Sequence, residues 1–161
     1  MRHLLAALLI LTSLPTYAID GYKPPDQFIN PLIDDLLSEI KLLLDLKIPE
    51  NRPEVFLTNK EQLMNAYCEN KKSCGVAAVT DKDTGIIYLD AMMEFNNVYN
   101  ASIFYHELVH YVQVRNNMFV GLSECERWAA SEMHAYRAQS SWLEYHGARG
   151  FKVPDLSAQC H

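Results

Sequence analysis

No stretch of this chain is rich in Lys or Arg. It has 14 basic against 20 acidic residues, a formal net charge of −6, and Lys71-Lys72 is only an isolated pair. Without a basic stripe, nucleic acid is an unfavourable partner, and so is an anionic membrane surface. Long apolar runs are missing too. The apolar-rich segment from Leu4 to Leu14 falls well short of the roughly 20 residues that span a bilayer, so the sequence predicts no stable membrane anchor. A positive start, Met1-Arg2-His3, precedes that segment, and Thr16-Tyr17-Ala18 follows it as a small-residue cleavage site. Residues 1–18 therefore read as a signal peptide and 19–161 as a single exported domain, secreted or periplasmic. No Cys follows the run to carry a lipid. Repeats and low-complexity segments are absent as well. Cysteine is scarce: 4 residues, with no C-x-x-C. An even number in an exported chain reads as two disulfides, for which Cys68–Cys74 and Cys125–Cys160 are the preferred pairing among three.

What is present has two periods. Asn30-Pro31 predicts a helix start, with Asn as cap, Asp34-Asp35 in the first turn and a leucine stripe running towards Pro49. Pro53 to Leu57 reads as a short strand. Thr58 to Tyr67 reads as a short helix opened by Thr58 and Glu61 in capping-box register. Val76 to Thr80 and Ile86 to Asp90, separated by Asp81-Lys82-Asp83-Thr84-Gly85, predict a β-hairpin. Two further helices are expected, at about 100–115 and 123–145. The order predicts an α+β fold, in which a small antiparallel sheet packs on a central helix and a long C-terminal helix.

The central helix carries His106-Glu107-Leu108-Val109-His110, an H-E-x-x-H pattern. On a helix, positions i and i+4 lie on one face, so two imidazoles can converge on a single ion. Zinc chemistry then needs a third ligand, an open fourth position and a base, and Glu107 stands where a carboxylate can act on a water. The surroundings are apolar, so two His and a Glu there would be costly to bury without a cation.

The C-terminal helix offers Glu126 and Glu132 as third ligand. Ser123 and Glu126 have the spacing of a capping box, which gives Glu126 a structural task at the helix start. Glu132 sits mid-helix among Trp128, Ala135, Tyr136, Gln139 and Leu143 at helical spacings, facing the core. The two are about 240° apart around the helix, so only one can face the metal. Glu132 is the expected ligand.

H-E-L-V-H-Y-V-Q followed by E-M-H-A-Y resembles the gluzincin metallopeptidases, the thermolysin-like clan, and within it small single-domain minigluzincins. The resemblance implies Zn2+ held by His106, His110 and Glu132. It implies peptide-bond hydrolysis by a zinc-activated water with Glu107 as general base, on a peptide or protein substrate aligned along the hairpin's edge strand; the chain is expected to be a monomer. Tyr136 stands where the clan has an acidic residue that orients a ligating His, so a phenol, a backbone carbonyl or Gln139 must take that task. His134, Tyr145 and His146 are candidates for stabilising the oxyanion. The rival reading is a catalytically inactive, zinc-stabilised exported binding or inhibitor module.

Overall fold

The computed structural model describes residues 19–68 and 75–160. The expected signal peptide lies outside them, and so does Cys74, the expected partner of Cys68. The described elements are helix α1 (Asp26–Leu44), strand β1 (Val55–Thr58), helix α2 (Lys60–Tyr67), strands β2 (Ala78–Thr80) and β3 (Ile87–Asp90), and helices α3 (Val98–Arg115) and α4 (Glu124–Tyr145). A 3₁₀ turn at Ser157–Cys160 follows.

The fold is α+β, with one correction to the sheet. The hairpin pairs antiparallel, Ala78 opposite Leu89 and Thr80 opposite Ile87, but β1 adds to the other side of β3 in parallel, Val55 opposite Ile87. The sheet is therefore mixed, in the order β1-β3-β2. The crossover arises because α2 and β2 intervene between the parallel neighbours, long enough to return the chain in the same direction. Tyr22 bridges the outer side of β1 through Leu57. Among the named strands this leaves β2 with a free edge. The hairpin turn is built as its composition suggests. Asp81 Oδ1 accepts from the backbone N–H groups of Asp83 and Thr84, at 3.0 and 2.8 Å, and Gly85 takes φ 75° beside the Tyr111 ring.

Helix α1 begins earlier than Asn30-Pro31 indicates. Its cap is Pro25, and Pro31 lies inside it. Starting at Asp26 places Ile29 one turn before Ile33 on the buried stripe with Leu36, Leu37 and Ile40. Burying Ile29 is worth about 1.5–3 kcal/mol, comparable with the ~3 kcal/mol that an interior proline costs. Asp34 is then mid-helix, where its carboxylate takes a two-pronged contact from Arg52 at 2.6 Å on each oxygen. The cap of α2 is also shifted, to Asn59, whose side chain accepts from Gln62 N at 2.9 Å. Thr58 is instead buried at the end of β1 with its hydroxyl on Asp20 O.

Helix α3 is the centre of the molecule. It packs against α4, α1, β2 and β3, and it contributes Phe104, Tyr105, Leu108, Val109 and Val112 to one continuous core with α1, the strands and α4. Ala135 and Ala138 on α4 let that helix lie close to it. Among the described residues, no helix is long and apolar enough to cross a membrane.

Candidate metal centre

Asn97 starts α3 by accepting from the N–H groups of Tyr99 and Asn100. Two turns on, His106 and His110 are almost wholly buried, 7 and 9 % exposed. Helix α4 starts at Ser123 with a complete capping box. Glu126 Oε2 accepts from Ser123 N at 3.0 Å, and Glu126 N donates to Ser123 Oγ at 3.4 Å. Glu126 thus serves the helix end, as its spacing suggests, and Glu132 is carried to the two imidazoles. The Nε2 atoms of His106 and His110 are 3.0 Å apart, and Glu132 Oε2 is 3.5 and 3.4 Å from them. Ligand atoms from all three residues lie within 4.8 Å of one another.

Those spacings fit a metal. Four-coordinate zinc with bonds of about 2.0–2.1 Å sets its N and O ligands about 3.3 Å apart. The electrostatics agree. Burial pushes the Glu132 carboxyl up, but hydrogen bonds and charge from His106 and His110 outweigh it and hold the group well below the usual carboxylate range. Burial pushes His110 down, yet Glu132, Glu107 and Gln113 together raise it above its ordinary value of 6.5. A partly buried carboxylate and two facing imidazole nitrogens thus converge on a point that favours positive charge, which a divalent cation can supply. The group could hold a metal ion.

The far side of His110 is held by residues the sequence reading did not assign to the task. Gln113 Oε1 lies 2.8 Å from His110 Nδ1 and accepts from Ser131 Oγ at 2.6 Å, while Gln113 Nε2 lies 3.0 Å from His134 Nδ1. An amide oxygen on Nδ1 favours the tautomer protonated there, which leaves the Nε2 lone pair free for a cation held between it and Glu132. The signal was visible in part, since Gln113 is three residues after His110 on one helix face. Gln139, expected as an alternative, bonds Ser102 Oγ at 3.0 Å instead. Tyr136 lays its ring 4.6 Å from that of His106, a ring contact and not a hydrogen bond, because His106 Nδ1 has no hydrogen-bond partner among the described residues.

Glu107 is buried beside the triad but outside it, at 6 % exposure. Thr80 donates to its carboxylate, Oγ1 to Oε2 at 2.7 Å. Two phenols feel its charge. Burial, then Asp81, Tyr88 and Glu107, push Tyr67 up to about 12, and burial with Glu132 and Glu107 raises Tyr136. Of the three residues considered for an oxyanion, none is placed on the triad. His134 sits behind Gln113, His146 faces Glu39 Oε1 at 3.3 Å, and Tyr145 is exposed.

Cys125 is bridged to Cys160, tying the tail to the first turn of α4 as expected. Beside that bridge, a cavity of about 380 Å³ is lined by Phe119, Met133, His134 and Arg137, on the α4 face turned away from Glu132. No curated protein and no solved structure matches the chain. A family profile does match it, over residues 26–153, a span that includes both histidines, Glu107 and Glu132. The chain belongs to that family, DUF6647, a domain of unknown function.

Proposed function

We propose that the chain is an exported zinc metallopeptidase of the gluzincin kind, with His106, His110 and Glu132 as ligands and Glu107 as general base. The observation that carries this reading is the pairing of the His106, His110 and Glu132 group, whose facing atoms lie 3.0, 3.5 and 3.4 Å apart, with a buried carboxylate, Glu107, that takes no part in it. A purely structural ion has no use for that extra acid. Zinc is the favoured ion for two imidazoles and one carboxylate, and the Cys125–Cys160 bridge suits the oxidising compartment an exported chain meets.

When bound, zinc supplies Lewis acidity, polarising a carbonyl and lowering the pKa of water. The chain supplies the rest. Gln113 fixes the His110 tautomer so that Nε2 faces inward. Glu107 accepts the proton of the attacking water and delivers it to the amine that leaves as the peptide C–N bond breaks. The free edge of β2, packed on α3, offers backbone groups on which an extended peptide can align. Burial around the triad excludes bulk water and strengthens each electrostatic contact.

The test is Glu107→Gln in the zinc-loaded mature chain. Zinc content is expected to stay, while hydrolysis of a broad peptide library disappears. A mutant as active as wild type would remove Glu107 from the base role. The second reading, a zinc-stabilised binding module without turnover, is favoured by the shortness of β2, three residues, which offers little strand for substrate pairing. Fully zinc-loaded wild type with no hydrolysis across the library would establish it.

A further inference from the structure

We propose that Thr80 is the positioning residue for Glu107, so that the strand offering its edge to a substrate also aims the base. The proposal rests on the metallopeptidase reading for its kinetic part. Its structural part stands on contacts alone. Thr80 ends β2 and is 5 % exposed. Its Oγ1 lies 2.7 Å from Glu107 Oε2 and 2.9 Å from Glu107 O, contacts that span 27 residues of sequence. Among the described residues it is the only hydrogen-bond donor to that carboxylate.

A threonine hydroxyl has one proton for these two acceptors. The Glu107 carbonyl lies within a helix and already has an N–H four residues on to accept from. The carboxylate is charged, buried and acceptor-only, so it makes the stronger bond and takes the proton. One carboxylate oxygen, Oε2, is thereby fixed, and the other is left to meet a water. The hydroxyl thus selects both the rotamer and the oxygen that reacts. Proton transfer needs heavy atoms within about 2.6–3.2 Å, and a displacement near 1 Å costs on the order of 100-fold in rate. A base on a side chain with several rotamers therefore gains from an anchor. The anchor's own position is set by the sheet, because Thr80 pairs with Ile87 of β3 and β2 packs on α3. A peptide added along β2 would be registered against the same strand that holds the base.

The rival is that Thr80 only ties strand to helix. That role would lower stability on substitution and leave turnover of the folded fraction alone. The experiment compares wild type, Thr80→Ser, Thr80→Val and Thr80→Ala, with Thr80→Val also made in the Glu107→Gln background. Each is zinc-loaded and assayed on the best-cleaved peptide of the library, and crystals of the metal-free Thr80→Val and Thr80→Ala chains are compared with wild type. Expected are a kcat lower by about 10–100-fold for Val and Ala, KM within about twofold, zinc content unchanged and near-full rescue by Ser. On the Glu107→Gln background the Val substitution should add nothing to the rate. In the crystals the Glu107 carboxylate should leave its wild-type position.

A carboxylate that stays in place with kcat unchanged would overturn the Thr80 proposal and leave the metallopeptidase reading standing. A zinc-loaded wild type that hydrolyses nothing would instead overturn that reading, and the crystallographic comparison would then decide the positional claim by itself. Should Thr80→Val fail to fold, Thr80→Ala and the rescue by Ser carry the decision. A Ser variant as slow as Ala would count against a hydroxyl-mediated role.

Discussion

Helix α4 carries two pairings of histidine with glutamate, and they are built differently. Near its middle, Glu132 meets His106 and His110 in a nearly dry pocket where the two Nε2 atoms face each other. Near its end, His146 meets Glu39 of α1 with side chains 33 and 26 % exposed, and the same carboxylate also accepts from Trp142 Nε1. The outer pair is satisfied by its own members and by Trp142. The inner group brings three Lewis bases together, with the donor behind His110 already committed to Gln113. What separates a candidate metal site from an ion pair is therefore convergence and burial, not residue type.

The comparison can be broken most severely at Glu132. Glu132→Ala should abolish zinc binding and, with it, any peptide hydrolysis, whereas Glu39→Ala should leave zinc stoichiometry at the wild-type value. Elemental analysis of both variants decides this, and zinc kept in the first and lost in the second would reverse the assignment. Next in size is Gln113→Ala, which removes the acceptor on His110 Nδ1. It should weaken zinc binding by about 10–100-fold in a chelator competition while the fold persists.

The pH response should also differ between the two states of the inner group. His110 is raised in the folded metal-free chain, so its contribution to stability is fully present below the unfolded value of 6.5 and is lost as pH climbs through the higher folded value. The depressed Glu132 contributes above its unfolded value of 4.5 and loses that as pH falls from there through its lower folded value, outside this window. Zinc works in the opposite sense to His110, because its imidazole ligands must be unprotonated. The difference in Tm between zinc-loaded and zinc-free chain should therefore widen from pH 6 to pH 8.5. A constant gap would contradict the ligand assignment. Smaller effects belong to the helix start and to the outer pair. Glu126→Ala should cost about 0.5–2 kcal/mol in denaturant unfolding with zinc retained. His146→Ala should cost no more than ~1 kcal/mol, as a half-exposed pair does.

Much of this was legible in the residues, for physical reasons that also mark the limits. His106, Glu107 and His110 share a local helical spacing, and Ser123 with Glu126 announces a helix start, which by elimination turns Glu132 to the core. Asp81 to Gly85 specify a tight turn through their own backbone contacts. Elements that depend on distant partners were harder to read. The parallel pairing of β1 is decided by what lies beside β3. The early start of α1 is decided by the burial of Ile29. Thr80, Ser131 and His134 act across 18 to 27 residues of sequence, and nothing in their own neighbourhoods points to Glu107 or His110. The chain's periodicity locates its candidate ligands, and only the packing of β2, α3 and α4 reveals what surrounds them.

The most direct test of the candidate metal centre is the zinc content of the folded chain purified at neutral pH without added metal or chelator. One zinc per chain is predicted, because two buried imidazoles and a carboxylate converge on one point at ligand spacing. A chain that is fully folded and monodisperse with no zinc, and that takes up none on titration, would contradict the account at its centre.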